Sequence, residues 1–172
     1  GIDYDKKYFA YGGVRNKHAR HNVCIGTDAQ EPDYAAKKGR VVPFAAVPAL
    51  SAARRRLPEF LGPKADSLLA EVNHYYAAGT GIGFHGDSER RIVVAYRCGS
   101  SMPMDWQWFR NSVPEGERVS TTLHDGDVYV MSEKAVGTDW KLRSKFTLRH
   151  AAGALKYRTP KVAGGKRTAA DK

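Results

Sequence analysis

The chain has 172 residues, with 28 Lys plus Arg against 18 Asp plus Glu and a formal net charge of +10. A length of this order fits one domain that buries roughly 70% of its unfolded surface, and 42% hydrophobic residues are too many for a disordered chain. No apolar run approaches the roughly 18 residues of a membrane-spanning helix, and coiled-coil and collagen patterns are absent, so no membrane partner is expected. The charge is uneven: residues 141–172 hold ten Lys or Arg against the single acid Asp171, leaving +1 for the first 140.

Cys24 and Cys98 have no CxxC partners, which argues against a disulfide scaffold or a thiolate zinc site. Both are expected to be buried small hydrophobes in a reducing, intracellular compartment. The opening Gly1-Ile2-Asp3-Tyr4 lacks the basic and then apolar stretch of a signal peptide, and Gly in place of Met suggests an excised or processed piece.

In chain order, residues 8–26 (YFAYGGVRNKHARHNVCIG) predict a hairpin: an aromatic run, a Gly12-Gly13 turn and a basic strand ending at Gly26. The polar stretch 27–40, with Pro32 and Gly39, predicts an exposed loop. Two helices are expected within 47–72, one from about Val47 through Phe60 with Pro48 in its first turn, and one from about Lys64 to Val72. Strands are then expected at 72–77, 82–86, 91–97, 105–109, 118–123, 127–131 and 145–150. Short strands after a helical preface predict an α+β, mainly β fold, a sandwich or barrel with helices packed on one face. Residues 161–172 carry almost no large apolar side chains and predict a flexible basic tail.

Chemistry concentrates between Asn73 and Arg91 (NHYYAAGTGIGFHGDSERR). On an extended strand His85 and Asp87 point to one side, about two strand rises apart. An imidazole and a carboxylate presented together supply two of the three ligands of a facial 2-His-1-carboxylate iron site, which leaves three positions open. A surface turn in which the two merely hydrogen-bond is the plain alternative.

The wider segment resembles the AlkB family of Fe(II)/2-oxoglutarate-dependent dioxygenases, whose pattern stands here as Asn73, Tyr75, Gly79, His85, Asp87 and Glu89. The resemblance covers about residues 8–150. Upstream, Lys17-His-Ala-Arg20-His21-Asn22 is similar to the family's substrate-lid hairpin. Downstream, Asp105-Trp106-Gln107-Trp108-Phe109 and Leu123-His-Asp-Gly126-Asp127-Val-Tyr-Val-Met131 are similar to middle strands and the Gly-Asp turn of its core. It implies a double-stranded β-helix (jelly roll) domain over 1–160, with a lid at 8–26, helices at 47–72 and the core at 73–160.

The third ligand departs from the pattern, because the family's His position falls within 137–142, which contains none. His124 precedes the Gly-Asp turn and is poorly placed. One register makes His150 the third ligand, with Lys156 or Arg158 facing the cosubstrate. A second aligns Arg143 through Arg149 with the family's cosubstrate-binding strand, leaves His150 a bystander and makes Asp139 the nearest ligand; a third reading has no third ligand. The resulting set is His85, Asp87 and His150 for the metal, with Asn73, Tyr75, Arg143, Arg149 and Arg158 for 2-oxoglutarate, whose distal carboxylate needs a cation.

Such an enzyme couples decarboxylation of 2-oxoglutarate to hydroxylation of a C–H bond, and on an N-alkylated base the product collapses and restores the base. It must work on single strands or on a flipped base, using cations for phosphates and aromatic faces for bases. Arg20, His21, Tyr76 and Glu89 are the expected substrate residues, with Arg15 and Lys17 beside Tyr8, Phe9 and Tyr11 on the hairpin. Trp106 and Trp108 serve equally as core, and Arg54-Arg55-Arg56 reads as a solvated helix face. Two further readings stand beside this one: a nucleic-acid-binding module that has lost the third ligand, and a protein hydroxylase. A monomer is expected.

Overall fold

The computed structural model describes residues 1–142 and 144–160, and these form two compact units, 1–80 and Gly81 onward. In the first, β1 (Lys7–Ala10) and β2 (Gly13–Asn16) pair antiparallel. Their turn is Tyr11-Gly12, both at positive φ (50° and 76°), the conformation whose twist matches the flanking strands. The turn therefore lies one residue earlier than Gly12-Gly13. β3 (His21–Gly26) is not the return strand of this hairpin. It is the centre of a sheet, parallel to β4 (Val41–Pro43) and antiparallel to β5 (Ala70–His74). Val23 and Ile25 alternate inward and are fully buried, which draws this strand into a core. The polar Lys17–Arg20 stretch has no such residues and stays outside both sheets. Cys24, between Val23 and Ile25, turns outward; it and Cys98 are exposed, contrary to the expected burial.

α1 (Pro48–Leu61) has Pro48 in its first turn. Arg54 donates to the Leu68 carbonyl and lies over the Phe44 ring, so only part of the Arg54–Arg56 run is a solvated face. The second expected helix is replaced by a 3-10 turn at Pro63–Ala65 and then β5. Asp66 is extended and Ser67 has a φ of 56°, which an α-helix cannot continue through.

The second unit is mainly β. It comprises β6 (Gly81–His85), β7 (Val93–Tyr96), β8 (Met102–Arg110), β9 (Val113–Leu123), β10 (Val128–Met131) and β11 (Thr147–Gly153), with one-turn helices α2 (Glu133–Val136) and α3 (Leu155–Arg158). One antiparallel sheet has the order β6-β11-β8-β9, and β10 pairs with β7 in another. Met104, Ala152 and Leu123 from the first sheet, Met131 from the second and Val136 from α2 share one buried core, flanked by Ile82, Val93, Trp106 and Tyr129. Strand alternation shows in β10, where Tyr129 and Met131 face inward while Val128 and Val130 are exposed.

β11 is buried on both faces. On the face away from the core, Asp105 is 0% exposed and accepts two 2.9 Å bonds from Arg158 Nη1, with Arg118 at 3.6 Å. A buried carboxylate is tolerated only with such partners, and the pair fastens α3 to the sheet. Among the described residues no helix is long and apolar enough to cross a membrane.

Candidate metal centre

β6 delivers His85 at its last position, and β11 sets His150 directly opposite it in the ladder. Paired residues share a face, so the two rings meet, with centroids 4.5 Å apart. Gly86 then turns the chain so that Asp87 comes back beside them. His85 Nε2 is 3.5 Å from Asp87 Oδ1 and His150 Nε2 is 3.9 Å from Asp87 Oδ2. All three donor atoms lie within 4.8 Å of one another, and among the described residues no other trio of His, Cys, Asp or Glu does so. The two gaps to Asp87 are long for hydrogen bonds but shorter than about 4.2 Å, twice a typical metal–ligand distance. The three side chains could hold a metal ion.

The protonation states suit a ligand set. His85 Nδ1 faces the Gly83 carbonyl at 2.8 Å, the kind of outer hydrogen bond that orients ligating histidines. Burial, and then His85, push the His150 pKa down to about 4, against the opposing pull of Asp87 and the Ala135 backbone. Burial alone would raise the Asp87 pKa, but His85, Arg90 and His150 outweigh it and hold the carboxyl below its ordinary value. At neutral pH the cluster is therefore a carboxylate beside an imidazole that resists protonation. Nδ1 of His150 is buried without a hydrogen bond of ordinary geometry.

A wall from residues 136–140 backs the ligand turn. Asp87 N donates to Val136 O at 3.0 Å, Thr138 Oγ1 to Arg90 O at 3.0 Å, and Trp140 Nε1 to Ser88 Oγ at 3.1 Å. A Cβ on Gly86 would collide with the Gly137 carbonyl and come 2.8 Å from Trp140 Cδ1, so the residue between the two ligands has to be glycine. Arg90 Nη1 adds a cation 3.5 Å from Asp87 Oδ2.

Of the alternatives for the third ligand, Asp139 pairs with Lys134 at 2.8 Å and His124 Nδ1 with Ser101 Oγ at 2.8 Å; neither joins the cluster. Arg149 is 8% exposed, but alternation turns it to the other face of β11 from His150. There its guanidinium lies over the Phe109 ring (4.5 Å) and near that of Trp140 (5.6 Å). Arg158 is committed to Asp105 and Lys156 lies over Tyr157. Arg143 and the tail 161–172 lie outside the described residues. Glu89 is exposed, 3.8 Å from Arg90. Trp106 is half-buried, edge-on to Tyr129, and Trp108 stacks on Phe146.

The remaining predicted residues lie in the first unit. Asn73 Oδ1 accepts from Arg20 Nε, and half-buried Tyr75 follows β5. His21 stacks on Tyr76 (centroids 4.3 Å, 19°), whose hydroxyl donates to His18 O. Burial, with Lys6, His74 and Lys17 nearby, lowers the His21 pKa. The hairpin has a concave surface bordered by Lys7, Tyr8, Tyr11, Arg15 and His18. Arg90, Thr138 and Trp140 escaped the sequence reading. Gly86 was the available signal for the wall, since a glycine between two ligands implies a close neighbour.

The chain is 50% identical over 157 residues to an uncharacterised protein of Acanthamoeba polyphaga mimivirus; the match covers 91% of this chain and 61% of the relative. The chain thus spans under two thirds of that relative's length. No family model and no solved structure matches.

Proposed function

We propose that this chain is an AlkB-like Fe(II)/2-oxoglutarate-dependent dioxygenase domain, built as a jelly roll and acting on nucleic acid by demethylating or hydroxylating an alkylated base. The observation that carries the proposal is the convergence of His85, Asp87 and His150 from two paired strands. Two imidazoles and one carboxylate on one side of an ion form the donor set of non-haem Fe(II) oxygenases, with positions left open for cosubstrate and oxygen. The jelly roll is supported by a chain that alternates between two sheets sharing one core: β6, then β7 opposite, β8 and β9 back, β10 opposite, β11 back. The missing His at 137–142 is the motive for a binding module without a third ligand, and the place of His150 beside His85 and Asp87 supports the enzyme over it.

Iron held there together with 2-oxoglutarate supplies oxidative decarboxylation coupled to C–H hydroxylation. The protein's part is to orient three donors: His85 through Gly83, Asp87 through its backbone bond to Val136, and His150 through its place opposite His85 on β11. Arg158 is withdrawn from the cosubstrate role because Asp105 already holds it. Arg149 is withdrawn as well, because it lies on the face of β11 opposite His150 with its guanidinium over the Phe109 and Trp140 rings. A nucleic-acid substrate is supported by the cations and exposed rings of the first unit.

Succinate release with methylated single-stranded DNA or RNA, compared with peptides, tests the proposal. Turnover on the oligonucleotides is expected; turnover on peptides alone would replace the substrate class, and turnover on neither would remove the enzyme.

A further inference from the structure

The segment 136–140 occupies the stretch in which the sequence pattern looks for a ligand, yet none of its side chains belongs to the donor cluster. What it does instead is grip the ligand turn at four points. Val136 O takes the Asp87 amide, the Gly137 backbone abuts Gly86, Thr138 bonds the Arg90 carbonyl, and Trp140 both packs on Gly86 and donates to Ser88. Gly86 and Ser88 are the residues on either side of Asp87. One indole therefore holds both neighbours of the carboxylate ligand.

We infer that Trp140 is a positioning residue for metal binding: by clasping Gly86 and Ser88 it fixes the direction of the Asp87 carboxylate toward His85 and His150. The inference rests on the metal-site reading above and adds a residue that no ligand pattern selects. Asp87 sits on a turn outside any strand. The ladder that aligns the two histidines does not align it, and the turn's geometry is left to what packs against it. Outer groups that orient ligands typically change metal affinity by about 10–100-fold when removed. Because Trp140 works through a shared hydrogen bond, it and Ser88 should act as a unit rather than add.

The test is anaerobic titration of the full chain with Co(II), read by its visible d–d spectrum, alongside apoprotein thermal melts. Wild type should bind one equivalent. Trp140→Phe, which keeps a ring against Gly86 but loses the N–H, should weaken Co(II) by about tenfold and alter the spectrum while the apoprotein melts as wild type does. Ser88→Ala should do the same, the double variant should be no worse than either single one, and Ser88→Thr, which keeps the hydroxyl, should restore wild-type affinity. Wild-type affinity and spectrum in both single variants, or additive losses in the double variant, would overturn the clamp while leaving the metal site standing. No Co(II) bound by wild type overturns the site and the clamp together.

Discussion

At the residue scale, the site depends on a glycine that carries no chemistry. Gly86→Ala would drive a Cβ into the Gly137 carbonyl and the Trp140 ring, and overpacking of this kind destabilises by about 1–3 kcal/mol. Gly79→Ala, with nothing within 4 Å, is the control. Urea unfolding should separate the two: a lowered midpoint and abolished metal binding for the first, little change for the second.

His150 gives a pH signature. Its folded pKa of about 4 lies below the ordinary 6.5, so between those values the unfolded chain binds the extra proton. The stability associated with neutral His150 is complete above about pH 6.5 and is lost as pH falls toward 4, on the order of 3 kcal/mol for an isolated group. Asp87, whose pKa is lowered, acts in the same direction in a lower window, below its ordinary 3.8. Apoprotein urea midpoints should decline from pH 6.5 to 4 and decline less in His150→Gln; a decline identical in both would contradict the assignment.

At the element scale, β11 carries His150 on one face and Arg149 on the other, and its second face is tied down by Asp105. Removing one partner of a buried ion pair typically destabilises by about 3–5 kcal/mol, and here Arg118, 3.6 Å from Asp105, remains as a partial counter-charge. Arg158→Met should therefore lower the unfolding midpoint sharply, with metal stoichiometry unchanged. If Arg158→Met instead raised the KM for 2-oxoglutarate with the midpoint untouched, Arg158 would serve the cosubstrate rather than Asp105.

The strands were legible in the sequence because period-2 patterning is local: 82–86, 91–97 and 127–131 lie within a few residues of β6, β7 and β10. His85 and Asp87 were legible because two ligands sit two residues apart. His150 could be offered but not separated from Asp139, since the choice depends on which strands pair, and β11 lies about 60 residues from β6 in the chain. The 8–26 hairpin misled because one basic, aromatic run looks continuous. Only the buried Val23 and Ile25, recruited by β4 and β5, reveal that β3 belongs to a different sheet.

At the scale of the whole molecule, the net charge of +10 overstates what is available to the nucleic-acid substrate proposed above. Arg158 and Arg118 neutralise Asp105, and Arg149 is buried against rings. Residues 161–172 contain four Lys or Arg. Ending the chain at residue 160 should make oligonucleotide binding less salt-dependent, the slope falling by roughly 0.7–0.9 for each phosphate that the tail had neutralised, with metal stoichiometry unaltered. An unchanged slope would show that the tail neutralises no phosphates.

Iron and cosubstrate binding at His85, Asp87 and His150 is read by an anaerobic visible spectrum of the protein with Fe(II) and 2-oxoglutarate. Wild type should show a weak charge-transfer band, absent in His85→Ala, Asp87→Ala and His150→Ala, followed by succinate when oxygen is admitted. Wild-type protein that gives neither band nor succinate, or a His150→Ala variant that gives both, would contradict it.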